Sequence, residues 1–290
     1  MKVGGSALVF LAALQAGAGA PAGPTQSIPI PGGAGGIGFD DLRFAPRVNR
    51  VLAPAGCVGT LALIDPGTRA VTIVPGFSRN PRWGGGHDQS VTSAEEGDGV
   101  LFATDRTSRE LAVVDPRSRT VFARSKLGAS PDYVRWISST REVWVTEPDA
   151  ERIEVFRFPK GASAPAAAGS ISIPGGPESL VIDGRRNRAY TNLWSGRTVA
   201  VDVSTHAVGS PWENGCSGSR GLALDESRGF LFVGCAEGRA TVLDVSAGGH
   251  VLGSATVGAG VDVIDFDPGR SHLYIPSGKT STLSLLGVSR

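Results

Sequence analysis

The feature that most constrains this chain is an internal repeat. Pro177-Glu178-Ser179-Leu180-Val181-Ile182-Asp183 leads into Arg188-Ala189-Tyr190-Thr191-Asn192 and then Thr198-Val199-Ala200-Val201-Asp202. The same order recurs as Ser219-Arg220-Gly221-Leu222-Ala223-Leu224-Asp225, Gly229-Phe230-Leu231-Phe232-Val233 and Ala240-Thr241-Val242-Leu243-Asp244, 42 residues further on. A third copy opens at Val261-Asp262-Val263-Ile264-Asp265-Phe266-Asp267, another 42 residues along. Earlier copies open at Phe39-Asp40-Asp41-Leu42-Arg43-Phe44, His87-Asp88-Gln89-Ser90 and Pro131-Asp132-Tyr133-Val134, with steps of 48, 44 and 46 residues. Each copy carries short alternating apolar runs separated by turn residues, the pattern of half-buried strands. A period of 42–48 residues with four such runs is that of a four-stranded propeller blade, which cannot bury its faces alone and needs neighbours stacked on both sides.

The expected fold is therefore all-β, a propeller of six four-stranded blades. Gly (41) and Pro (19) are abundant, as many tight turns require. Blade six offers only three strands before Arg290, and an unpaired last strand is an exposed edge. The segment Gln26-Ser27-Ile28-Pro29-Ile30-Pro31-Gly32-Gly33 resembles the outer strand Ser170-Ile171-Ser172-Ile173-Pro174-Gly175-Gly176, and its prolines suit an outermost strand. It is the expected N-terminal strand that completes blade six.

Ahead of the repeats, Lys2 followed by the apolar run Val3 to Leu14 and the small residues Ala16-Gly17-Ala18 has the order of a secretory signal. Residues 1–20 are read as that signal and residues 24–290 as the propeller. Ala18-Gly19-Ala20 is a second cleavage site that would leave Pro21 first. The expected location is the periplasm or the cell exterior. No later apolar run reaches the ~20 residues of a membrane-spanning helix. A net charge of +1 argues against a nucleic-acid partner, which demands a basic excess; a monomer is expected.

The chain resembles a YVTN/YncE-like bacterial β-propeller of the exported type, over residues from about 36 to 290. The carrying segments are Gly38-Phe39-Asp40-Asp41-Leu42, Gly175-Gly176-Pro177-Glu178-Ser179-Leu180 and Gly229-Phe230-Leu231-Phe232-Val233-Gly234-Cys235. The resemblance implies the fold; relatives of this type commonly have seven blades, so the alternative to six closed blades is a seven-bladed relative cut short. Similar propellers include gluconolactonase-like metal-dependent lactonases and a haem-binding propeller, so the fold alone does not choose a function.

Aligned on the innermost strand, the repeats place Asp40, Asp88, Asp132, Glu178, Arg220 and Asp262 at one position. Five of the six are acidic. Innermost strands line a propeller's channel, so these residues are expected at one mouth as the ligand-binding set. Oxygen donors of this kind suit Ca²⁺, with Asp132, Glu178 and Asp262 as the candidate ligands. His87 is the candidate proton carrier. The competing reading is that the same carboxylates cap turns by accepting backbone N–H bonds. Two functions follow: a binding or scaffold protein recognising a small molecule or protein at the mouth, or a divalent-metal-dependent hydrolase of the lactonase type. Such sites usually mix Asn with Asp and Glu, and no Asn stands here. Asp65, Asp115, Asp202 and Asp244, each ending a third strand, read as turn formers. Trp136 and Trp144 fit the core, whereas Trp83 and Trp194 fall where they can line a pocket. Of three cysteines, Cys216 and Cys235 lie in loops that open on the same face of blade five and are the expected disulfide; Cys57 has no partner in the pattern.

Overall fold

The computed structural model describes Leu11–Ala13 and residues 26–80 and 82–289. Among them lie six four-stranded antiparallel sheets. Blade one comprises Arg43–Ala45, Arg50–Ala55, Thr60–Ile64 and Val71–Pro75. Blade two comprises Val91–Gly97, Val100–Asp105, Glu110–Asp115 and Thr120–Lys126, and blade three Val134–Ile137, Glu142–Glu147, Arg152–Arg157 and Ala166–Ser172. Blade four has Val181–Asp183, Arg188–Leu193, Arg197–Asp202 and the short Trp212–Glu213; blade five has Ser219–Asp225, Phe230–Cys235, Arg239–Asp244 and His250–Thr256. Blade six has Asp265–Asp267, His272–Ser277 and Thr282–Val288, and its fourth strand is Leu11–Ala13. This is a six-bladed β-propeller. The described helices are single 3₁₀ turns of three residues, and none is long and apolar enough to cross a membrane.

The N-terminus does complete blade six, but not with the expected segment. Leu11, Ala12 and Ala13 pair antiparallel with Val288, Gly287 and Leu286. Residues 26–33 form no strand. Ile30 is instead buried against Ala53, Ala55, Val58 and Ala62 of blade one. Pro29 and Pro31 flank it and carry no N–H for a ladder, so the segment holds by its side chain. The rest of the proposed signal, residues 1–10 and 14–20, lies outside the described residues.

The hairpin turns are made as the carboxylates at strand ends suggest. Asp65 accepts the N–H groups of Gly67 and Thr68 at 3.0 and 2.9 Å, Asp115 that of Arg117 at 2.8 Å, and Asp244 that of Ser246 at 2.8 Å. Asp202 pairs with Arg188. A second device ends the innermost strands: Asp183, Asp225 and Asp267 each accept a backbone N–H from, and pair with, the arginine three residues on.

The chain falls into two compact units. One is Pro24–Ile182 with Val203–His206; the other contains Asp183–Asp202, Ala207–Arg290 and the strand Leu11–Ala13. In the first unit, Leu52, Leu61, Leu101 and Ala103 pack blade one on blade two, and Phe102, Val134, Val145 and Phe156 pack blade two on blade three. Phe102 stacks on Trp136 at 5.4 Å, and Trp144 is fully buried, so both tryptophans serve the core. In the second unit, Phe232, Ile264, Ile275 and Leu286 pack blade five on blade six. Burying one such side chain contributes about 1.5–3 kcal/mol.

Candidate functional site

In the first unit the candidate residues stand on the loops that enter the innermost strands. Asp40, Asp88 and Glu178 each lie three residues ahead of the strand that follows, and Asp132 two. Asp40 is 9% exposed and faces His87, with Oδ2 3.2 Å from Nδ1. Asp88 is exposed, and Glu178 is half-buried. Asp132 is nearly buried; its Oδ1 accepts from Arg106 Nη2 at 2.6 Å, and Arg106 Nε donates to the Pro131 carbonyl at 2.7 Å.

His87 and Asp88 belong to the loop 76–90. Its two ends are held down. The Ser78 N–H donates to Asp105 Oδ2 at 2.7 Å, the Ser90 hydroxyl donates to the Ser78 carbonyl, and the Asn80 N–H reaches the Cys57 carbonyl at 3.1 Å. Its tip, Arg82 to Asp88, lies on the segment that leads into blade one. Trp83 donates from Nε1 to the Gly86 carbonyl at 2.9 Å and lays its ring over Gly36, where an added Cβ would meet the ring at 1.8 Å. Gly36 has φ +110°, open to glycine alone. The loop therefore presents an exposed indole, an exposed imidazole and an exposed carboxylate around Gly84-Gly85-Gly86.

In the second unit the pattern changes. Arg220 is the second residue of the innermost strand of blade five, not a residue ahead of it. Its guanidinium lies 5.7 Å from the centre of the exposed Trp194 ring, a cation–π distance. Asp262 is half-buried, and its carbonyl accepts the Gly221 N–H at 2.6 Å. A Cβ on Gly221 would sit 2.4 Å from that same oxygen, so glycine permits the approach. Cys216 and Cys235 form the expected disulfide, with Cα atoms 5.3 Å apart. Beside it, Glu237 accepts the N–H groups of Ser217 and Gly218 at 2.7 and 3.2 Å. Cys57 is a free, buried cysteine; burial, with the nearby Asp88 charge, pushes its thiol pKa up, away from the reactive thiolate.

A charged cluster of the first unit escaped the repeat alignment. Asp41, next to Asp40, is buried and accepts from Ser93 Oγ at 2.6 Å and from Arg135 Nη1 at 2.7 Å. Arg135, also buried, donates from Nε to the Leu180 carbonyl at 2.8 Å. Arg43 and Glu95 pair alongside at 3.1 Å. The cluster thus links the entries of blades one to four. Burial raises the Asp41 pKa, but Arg135, Arg43 and the hydrogen bonds outweigh it and hold the carboxyl below its ordinary value. The signal available in the sequence was a charged residue, Arg135, inside an otherwise apolar innermost strand, and a second carboxylate next to Asp40.

No protein-family model matches the sequence, and no curated protein sequence matches it. Solved structures do. The chain is similar to the hydrazine synthase of Kuenenia stuttgartiensis, with 13% identity and a TM-score of 0.60 over 86% of this chain and 95% of that one. It is also similar to a putative 6-phosphogluconolactonase of Bacteroides uniformis, with 15% identity and a TM-score of 0.68 over 84% of this chain and 79% of that one. Such likenesses establish the fold and nothing finer.

Proposed function

We propose that this is an exported binding propeller of the YVTN/YncE-like kind, which recognises a small ligand or a partner at the entry loops carrying Asp40, Asp88, Asp132 and Glu178. The observation that supports it is the tip of loop 76–90, where Trp83, His87 and Asp88 are all exposed on a triglycine stretch whose ends are anchored. An aromatic face beside acidic groups suits a ligand with an apolar or sugar-like body and hydrogen-bond donors or a positive charge. Arg220 over Trp194 and Asp262 are the corresponding candidates in the second unit.

Asp132 gives Oδ1 to Arg106, so calcium bound at Asp132 would share that carboxylate with a guanidinium. The test is titration of the full-length protein with a panel of sugars, amines and calcium, followed by tryptophan fluorescence. Saturable quenching by an organic ligand that Trp83→Ala and Asp88→Asn both abolish is the expected result. Stoichiometric calcium lost on Asp132→Asn, with no organic binder, would overturn it.

A second reading is a lactone hydrolase. Two observations favour it: the fold shared with a putative 6-phosphogluconolactonase and the His87 imidazole turned to Asp40, the arrangement by which a carboxylate orients a general base. Turnover of a lactone panel that His87→Gln removes would establish it.

Export rests on residues 1–20 and accords with the disulfide. N-terminal sequencing of protein recovered outside the cytoplasm should begin at Gly19, or at Pro21 for the second site; a chain retained in the cytoplasm with Met1 intact would refute it. Cleavage would remove Leu11–Ala13 and leave Thr282–Val288 as an edge. Light scattering should show a monomer.

A further inference from the structure

At the opposite ends of the strands from the entry loops, the hairpin turns of blades one and two enclose a cleft of about 580 Å³. Val48 and Leu63 contribute apolar surface, and Arg47, Arg117 and Arg119 stand around it. Among the described residues, no carboxylate oxygen lies within ion-pair distance of these three guanidinium groups. The local carboxylates have other hydrogen-bond partners, although Asp115 and Asp98 attract Arg117 and Arg47 from beyond ion-pair distance. Asp65 pairs with Arg50 at 2.9 Å, Asp115 accepts the Arg117 N–H and the Ser118 hydroxyl at 2.8 Å each, and Asp98 pairs with Arg141. Glu96 also lines the cleft; its Oε2 accepts the Arg47 N–H at 2.9 Å, while its buried Oε1 accepts nothing among the described residues.

Unpaired guanidinium groups converging on a concave surface bind carboxylate and phosphate with paired, charge-assisted hydrogen bonds. Glu96 Oε1 is shielded from solvent and has no donor, so a ligand hydroxyl meets it when the side chain turns toward the cleft. We propose that this cleft binds a small hydroxylated oxyanion, a carboxylate or phosphate whose negative oxygens meet Arg47, Arg117 and Arg119 and whose hydroxyl donates to Glu96 Oε1. The site is independent of the entry loops and of the function proposed for them.

Calorimetry of the full-length protein at low ionic strength tests this with inorganic phosphate, tartrate and succinate as probes. One-site binding is expected, with tartrate or phosphate tighter than succinate, which has no hydroxyl. Arg117→Gln and Arg119→Gln lie on exposed turns and should each weaken binding roughly tenfold. Arg157→Gln, an exposed arginine on the third strand of blade three, makes the same change in net charge and should leave it intact. Tartrate binding alone would identify a hydroxycarboxylate, and phosphate binding alone a phosphate. Three results would overturn the assignment: no saturable binding of any probe, equal weakening by Arg157→Gln, or succinate binding as tightly as tartrate and phosphate. Loss of the tartrate preference in Glu96→Gln, with the fold intact by circular dichroism, would tie the hydroxyl to Glu96.

Discussion

Blades one to three and blades four to six are stitched by different chemistry. In the first unit the innermost strands meet through a buried ion pair, Asp41 to Arg135, reinforced by Ser93 and by the Leu180 carbonyl. In the second unit the buried contacts between blades four and five include a set of neutral groups. Asn192 donates to the Arg220 carbonyl at 2.6 Å, Asn214 donates to Thr198 and Ser219 at 3.0 and 2.8 Å, and Thr241 donates to the Asn214 carbonyl at 2.7 Å. The seam between blades five and six uses the Gly221 N–H on the Asp262 carbonyl, and a disulfide anchors the entry to blade five. A buried ion pair adds little over a well-packed apolar pair, yet losing one partner strands a charge in the core. Neutral hydrogen bonds fail more gently, one at a time. One repeat is thus held by two kinds of joint with different weak points.

The largest effect is expected at Arg135. Arg135→Met leaves the Asp41 carboxylate unpaired, and denaturant titration should show a loss of about 3–5 kcal/mol. Asp41→Leu in the same chain should restore part of it. A loss below 1 kcal/mol would mean that the clamp is not what joins these blades.

The disulfide comes next. Its cysteines are 19 residues apart, so reduction, or Cys216→Ala with Cys235→Ala, should cost roughly 3 kcal/mol by closure of a loop of that size. Hydrogen exchange should rise at residues 214–237 and remain unchanged at Asp41 and Arg135.

Gly221→Ala and Asn214→Ala probe the neutral contacts. The first forces a Cβ onto the Asp262 carbonyl, and the second removes the amide donor to the hydroxyls of Thr198 and Ser219. Each should destabilise by about 1–3 kcal/mol, well short of Arg135→Met.

Acid sharpens the contrast least. The Asp41 pKa is below its unfolded value, so its pair contributes fully above the ordinary aspartate range and is lost as pH falls through the folded value. Asp225 in the second unit behaves alike: burial opposes its charge, but Ser227 and Arg228 outweigh burial and lower its pKa. Both Asp41→Asn and Asp225→Asn should therefore flatten the loss of stability on the acid side of pH 4. The unfolding midpoint against pH, compared between the two variants, shows which unit yields first.

The blades were legible because the repeats carry their own evidence: alternating Val, Ile, Leu and Phe, and at many hairpins an aspartate whose carboxylate needs only the next three residues. The disulfide was legible because both cysteines belong to one blade. The strand on the edge of blade six was not. Three backbone pairs at Leu11–Ala13 need no particular side chain, whereas the more strand-like Gln26–Gly33 is kept from the ladder by two prolines. Aligning the repeats drew notice to Asp40 and passed over its neighbour Asp41, since both precede the strand Arg43–Ala45 and only the fold turns one toward His87 and the other toward Arg135.

The sequence by itself determined the period, the number of blades, the turn chemistry and the pairing of Cys216 with Cys235, because these depend on residues close along the chain. Only the tertiary structure decided that Asp41 meets Arg135, that Asp132 is held by Arg106, that loop 76–90 lies down beside Gly36, and that Arg47, Arg117 and Arg119 surround one cleft. Those contacts join residues far apart in the chain through the stacking of blades, and no local pattern specifies which charges that stacking brings together.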